Sequence, residues 1–194
     1  MKILNLLHIH TIRFFLLGIL VYFPILSVAG NVTTFSSVEA MIEEFNDYSA
    51  SNGTFQVLAS KPLHIQLSPQ IVQGDLPEII EEQVKRALVY GIYRVFIHTP
   101  INKITVTAIP QEIDFKTKKT RYAPKYKRTI SKTRAEALAL VKKHLGVSSF
   151  SDLVTETKVG NMAVPNQWSK DFNRLYYNDQ GEPGLNRFVD DLAK

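Results

Sequence analysis

The feature that most constrains this chain is a run from Leu76 to Ile97. In it Ile80, Val84, Ala87, Leu88, Ile92, Val95 and Phe96 recur at helical spacing. Asp75 stands where a cap is expected, Pro77 falls in the first turn, Glu78 is the third residue after the cap, and Thr99-Pro100 ends the run. Glu81 and Glu82 suit the positive end of the helix dipole, and Lys85, Arg86 and Arg94 are read as lying away from the apolar stripe. A helix of this length extends about 33 Å, so its stripe needs a partner layer of similar reach. Gly91 sits on or beside that stripe. It costs about 1 kcal/mol relative to Ala in a helix, and its presence predicts close backbone contact with a sheet.

Sheet candidates lie on both sides of this helix. Residues 55–59 and 63–67 read as strands, with Leu63, Ile65 and Leu67 alternating with His64 and Gln66, and Lys61-Pro62 between them as a bulge or turn. Residues 103–115 form a third strand, in which Ile104, Val106 and Ala108 face one way. Tyr122, Tyr126 and Ile130 recur at even spacing, so a strand over 120–131 is expected to pair back on it as a hairpin, with residues 116–119 as the turn.

Further helices are marked by capping boxes. Ser36 with Glu39 opens a first helix carrying Val38, Met41, Ile42 and Phe45. Thr133 with Glu136 opens a third carrying Ala137, Leu138, Val141 and Leu145, and Gly146 closes it. A short helix is expected at 149–154, while residues 157–164 suit either a loop or a strand. Trp168, Phe172 and Tyr176 recur every four residues as on a helical face. A turn-rich break follows at 178–184, and Leu185, Phe188, Val189 and Leu192 read as a last short helix. The order α-β-α-β-β-α-α predicts an α+β fold: a small, mostly antiparallel sheet of about three to five strands with helices packed on one face.

The first thirty residues are read differently. Lys2 and Arg13 are their only formal charges, an apolar block runs from Phe14 to Leu26, and Ser27-Val28-Ala29-Gly30 has the small-x-small pattern of a cleavage site. The block is shorter than the ~20 residues that span a hydrocarbon core. Residues 1–29 are therefore expected to be a signal peptide cut after Ala29 or Gly30, giving a periplasmic or secreted product. Residues 30–194 then form a single α+β domain, with 155–194 a looser helical C-terminal part. No other segment resembles a transmembrane span. A retained N-terminal anchor is the competing reading. Asn31-Val32-Thr33 and Asn52-Gly53-Thr54 match the glycosylation triplet, which matters only in a eukaryotic host.

The chain has no Cys, which excludes disulfides, a thiolate nucleophile and Cys-ligated zinc. Charge is concentrated: residues 116–134 hold nine Lys and Arg and no acid, whereas the rest of chain 30–194 has 12 basic against 18 acidic residues, a net −6. Lys116, Lys118, Lys119, Arg121, Lys125, Lys127 and Arg128 are the candidate contacts for a polyanion. Export favours an anionic envelope component or an acidic protein as partner and disfavours nucleic acid. The bland alternative is a solvated hairpin whose lysines protect a sheet edge.

Catalytic patterns are sparse. No G-x-S-x-G, P-loop or H-E-x-x-H motif occurs, and His64, His98 and His144 are far apart in sequence. The pairs Glu43-Glu44, Glu81-Glu82 and Asp190-Asp191 read as solvated helix faces, and Asp114 near a strand end has no nameable partner. Trp168, Phe172 and Tyr176 form a candidate aromatic groove. No cofactor and no metal is expected. The favoured reading is an exported, non-enzymatic binding or accessory protein. The alternative is an exported hydrolase of cell-wall or glycan material pairing a carboxylate with His64 or His98. A third is a single-stranded nucleic-acid binder, should the leader be a retained anchor.

Overall fold

The computed structural model describes residues 32–177 and 184–194. The expected leader with its cleavage site, the triplet beginning at Asn31 and the turn-rich break at 178–183 lie outside the described residues.

The chain runs through α1 (Val38–Phe45), β1 (Phe55–Ser60), β2 (Leu63–Leu67), β3 (Gln70–Val72), α2 (Pro77–His98), β4 (Lys103–Ala108) and β5 (Gln111–Ile113). It continues through β6 (Thr120–Tyr122), β7 (Arg128–Thr133), α3 (Arg134–Leu145), β8 (Val154–Val159), β9 (Met162–Trp168), α4 (Lys170–Tyr177) and α5 (Gly184–Leu192). The fold is α+β, as the order of elements predicts. The main sheet has the order β1-β2-β4-β7, beside a three-stranded sheet β3-β5-β6 and the hairpin β8-β9. Four of the six ladders are antiparallel; the parallel ones are β2 with β4 and β3 with β5. Both parallel pairs arise because α2 carries the chain back to the starting end before β4 begins, a crossover that a parallel neighbour requires.

α2 lies directly on the central parallel pair. A Cβ at Gly91 would sit 2.8 Å from Val106 Cγ1 and 3.0 Å from Leu67 Cδ1, so glycine is what permits this approach. Leu63, Ile65, Leu67, Ile104, Val106 and Ile130 are buried in the same core as α2. The opposite face of the sheet is polar. There His64 Nε2 lies 2.9 Å from Thr107 Oγ1, Thr107 bonds Thr129 at 2.9 Å, and Thr105 donates to Ser131 at 3.1 Å. One polar face and one apolar face follow from the period-two alternation that β2 shows most clearly.

Several boundaries differ from the sequence reading. Asp75 does not cap α2; its carboxylate accepts from Val72 N at 2.9 Å, and Leu76 is the capping position without a side-chain bond. Ser37 rather than Ser36 caps α1, accepting from Ala40 N at 3.1 Å. The expected long hairpin is kinked in the middle. Residues Lys103–Ala108 pair with Arg128–Thr133 in the main sheet, and Gln111–Ile113 pair with Thr120–Tyr122 in the second. Pro110 has no N–H to give a ladder. Opposite it a 3-10 turn, Pro124–Tyr126, takes up the excess residues, with Ala123 N donating to Pro110 O at 2.8 Å. The short helix expected at 149–154 is a 3-10 turn, Phe150–Leu153, and residues 154–168 are a hairpin.

The capping box of α3 forms as read: Thr133 Oγ1 accepts from Glu136 N at 3.3 Å, and Glu136 Oε2 accepts from Thr133 N at 2.8 Å. Arg134, the last residue of the basic run, turns inward instead. Its Nε donates to Ile101 O at 3.0 Å and its guanidinium reaches the carbonyls of Phe96 and Thr99, satisfying the C-terminal end of α2. Phe172, Leu175 and Tyr176 of α4 and Leu185, Phe188, Val189 and Leu192 of α5 join the same core.

Candidate functional site

The second half of α2 is buried on every side from Ala87 to His98, and apart from the face of Tyr90, Arg94 and His98 it is almost wholly apolar. Arg94, read from the sequence as lying away from the apolar stripe, is therefore inside, at 5% exposure. Its guanidinium carbon lies 3.7 Å from the Trp168 ring centroid and 4.2 Å from that of Phe45, so the plane is held between two aromatic faces. Nη1 donates to Asn166 O at 2.7 Å and lies 3.4 Å from His98 Nε2. Among the described residues Nε has no hydrogen-bond partner and no carboxylate forms an ion pair with Arg94. Burial lowers its pKa while Tyr90 and Asp47 oppose the shift; an arginine so placed remains cationic at neutral pH.

His98 supports this arrangement from behind. Its Nδ1 lies 2.8 Å from Thr33 O, which has no proton to give, so Nδ1 carries the hydrogen and Nε2 is left to accept from Arg94. Burial, reinforced by the Arg94 charge, brings the His98 pKa down to about 4 against the pull of the Thr33 carbonyl. Asn166 completes the support. It occupies the left-handed region at φ 58°, beside an irregularity in the β8–β9 ladder. This turns its carbonyl to Arg94 and its side chain to Thr33, whose N donates to Oδ1 at 3.2 Å and whose Oγ1 accepts from Nδ2 at 2.9 Å.

Above Arg94 opens a cleft of about 670 Å³. Tyr48, Tyr90, Trp168, Tyr176 and Tyr177 give it aromatic walls, Asn52, Gln70, Gln167 and Asn173 supply carboxamides, and Asp47 is the carboxylate among the described residues lining it. Burial, and then neighbouring groups that include Asp47, pushes the hydroxyls of Tyr48, Tyr90 and Tyr176 upward, so they are neutral donors at ordinary pH. Among the described residues the Tyr90 hydroxyl is buried without a partner at bonding distance, and the Asp47 carboxylate is the neighbouring acceptor that acts on it. A planar cation, aromatic faces and carboxamides together suit a polar ligand that carries an anionic group.

The residues of the expected aromatic groove meet here, though not on one helix. Trp168 ends β9, and its ring lies 4.7 Å from Phe172 and 5.7 Å from Tyr176 of α4. Trp168 and Tyr176 line the cleft, while Phe172 is fully buried beneath it. The basic run is distributed. Lys116, Lys118 and Lys119 occupy the exposed tip between β5 and β6. Arg121 pairs with Glu112 at 2.9 Å and Arg128 with Glu81 at 3.4 Å, Lys125 lies over the Tyr126 ring at 4.6 Å, and Lys127 is exposed.

The other candidates are held elsewhere. His64 belongs to the polar sheet face, and His144 lies 3.0 Å from Asp191 Oδ2. Asp191 also receives Lys143 and Lys194, and these hydrogen bonds hold its carboxyl well below the usual range. Glu82 pairs with Arg86, Glu43 and Glu44 are exposed, and Asp114 accepts from the amides of Lys116 and Thr117 at the hairpin tip. Among the described residues no group of three or more His, Cys, Asp or Glu could hold a metal ion, and no helix is long and apolar enough to cross a membrane.

Arg94, Tyr90, Tyr48 and the carboxamides escaped the sequence reading. One signal was present: Tyr90, Arg94 and His98 stand four apart in a segment whose remaining faces are all apolar, and a lone cation there has no route to solvent. Comparison with protein-family models, curated proteins and solved structures finds no match to this chain.

Proposed function

We propose that this is an exported, non-enzymatic binding protein whose cleft receives a small polar ligand, with the ligand's anionic group directed to Arg94. The observation that carries the reading is Arg94 itself: a buried cation that among the described residues touches no carboxylate, Asp47 standing farther off on the same cleft, at the floor of aromatic walls. An unpaired buried charge costs several kcal/mol, and a hydrophobic residue would fill this helical position at no such cost. A binding role accounts for its presence, because an anion arriving in a site of low dielectric supplies the missing partner. Asp47, on the same cleft, meets donor groups of the ligand and disfavours a second anion nearby.

Export rests on the leader. The described body is compatible with a cut near Ala29 or Gly30, since the chain is tied down from Thr33 and Phe35 onward, the latter through its N–H to His98 O at 2.8 Å. The hydrolase alternative calls for a carboxylate bonded to His64 or His98. The partners of those two are Thr107 for the first and Thr33 and Arg94 for the second.

Trp168 is the only tryptophan of the chain and lines the cleft, so its emission reports occupancy directly. Titration with neutral, acidic and zwitterionic saccharides and short peptides is expected to change that emission for members bearing a carboxylate or phosphate. Arg94→Met is expected to remove the preference for the anion. A Trp168 signal indifferent to every class, or an Arg94→Met chain that binds as the parent does, overturns the reading.

A further inference from the structure

The tip between β5 and β6 carries a second, independent inference. Residues 114–119 form a tight, internally bonded turn. Asp114 N donates to Lys119 O at 2.9 Å and Lys118 N to Asp114 O at 2.8 Å, while Asp114 Oδ1 accepts from Lys116 N at 2.8 Å and Thr117 N at 3.2 Å. Hydrogen bonds from Thr117 and Lys116 hold the Asp114 carboxyl below its usual range, so it is ionised and turned toward the turn's own amides. The turn displays Phe115, a large apolar side chain at 62% exposure, beside Lys116, Lys118 and Lys119. Lys118 Nζ reaches to 5.9 Å of the Phe115 ring, and among the described residues none of the three lysines has an ion-pair partner.

We infer that this tip docks the protein on an anionic phospholipid surface, with Phe115 entering the headgroup boundary and the three lysines meeting lipid phosphates. Charge complementarity selects the anionic surface, and the single projecting ring selects a bilayer over the other polyanions. A nucleic-acid platform needs several rings free to stack. Here Tyr122 is committed, its hydroxyl donating to Gly53 O at 3.2 Å and accepting from Gln56 Nε2 at 2.6 Å, and Tyr126 packs against the core. An isolated apolar residue ringed by lysines suits an interface that is apolar below and anionic above. The neighbouring charges leave this balance in place, because Arg121 and Glu112 neutralise one another.

The test is co-sedimentation of the full-length chain with vesicles of phosphatidylcholine alone and of phosphatidylcholine with phosphatidylglycerol. The apolar leader is common to every variant, so the readout is each variant's preference for the anionic vesicles. The parent should prefer them, and Lys116→Ser, Lys118→Ser and Lys119→Ser should each reduce the preference about fivefold. Phe115→Ser should weaken binding to anionic vesicles about tenfold. Unchanged Trp168 emission shows that the exposed substitutions leave the body folded. The inference fails if the parent shows no preference or if the lysine variants keep it. It also fails if Phe115→Ser is silent while the lysine variants lose retention of a single-stranded oligonucleotide, which would identify a general polyanion site instead.

Discussion

Acidification should weaken this fold through one residue before it reaches the carboxylates. His98 is fully buried, gives its Nδ1 hydrogen to Thr33 O and keeps an unprotonated Nε2 toward Arg94. Its pKa falls from 6.5 to about 4 in the folded chain. The unfolded chain therefore binds a proton near pH 6.5 that the folded chain refuses until about pH 4. The contribution of neutral His98 is fully present above pH 6.5, declines by about 1.4 kcal/mol per pH unit below it, and levels off near pH 4. The whole loss is about 3 kcal/mol, a large fraction of the 5–15 kcal/mol typical of a domain. Urea unfolding at pH 7.5, 6.5, 5.5 and 4.5 measures it, with His98→Asn as the reference, since an asparagine amide can still donate to Thr33 O without titrating. Asp114, Glu136, Asp152 and Asp191 all have depressed carboxyls; their losses begin at lower pH and cancel in the difference between the two chains. The parent should be the more stable at pH 7.5, and its advantage should shrink steadily toward pH 4.5. An advantage that stays constant across that window refutes the claim that His98 is held neutral beside Arg94.

Two other substitutions test the packing. Gly91→Ala should cost about 1–3 kcal/mol through overpacking against Val106 and Leu67 and gain ~1 kcal/mol as a better helix former, a net loss of up to about 2 kcal/mol; urea midpoints read the sign, and Gly91→Ala with Val106→Ala should recover part of the loss. Tyr90→Phe removes a buried hydroxyl that among the described residues has no partner at bonding distance and stands near Asp47, so thermal unfolding should show stability unchanged or raised by about 1 kcal/mol, and a loss of more than about 1 kcal/mol would show the hydroxyl to be bonded to Asp47 in solution.

Much of the fold was legible because it rests on local rules. The stripe of α2, the glycine at its centre, the alternation in β2 and β4, and the box at Thr133 and Glu136 are each set by residues within a few positions of one another. Where a second local rule competed, the reading slipped. Asp75 satisfied a backbone amide of the preceding turn instead of capping α2, and Pro110 with Pro124 broke one hairpin into two sheets. The grouping of Trp168, Phe172 and Tyr176 was visible as a spacing, yet the spacing came from a strand end running into a helix.

By itself, then, the sequence determined the main helices and the strands at 55–67 and 103–108, the apolar stripes they carry, and that residues 116–134 concentrate nine basic residues with no acid. Those properties follow from periodicity and steric preference, which act along the chain. Only the tertiary structure decided that α2 would bring β4 parallel to β2, and that the loop after α1, the link between β2 and β3, the end of β9 and α4 would converge over the buried half of α2. The position of Arg94 between Phe45 and Trp168 is the clearest case. Whether a cation is solvated or enclosed depends on segments far away along the chain, and no local pattern records which of them will cover it.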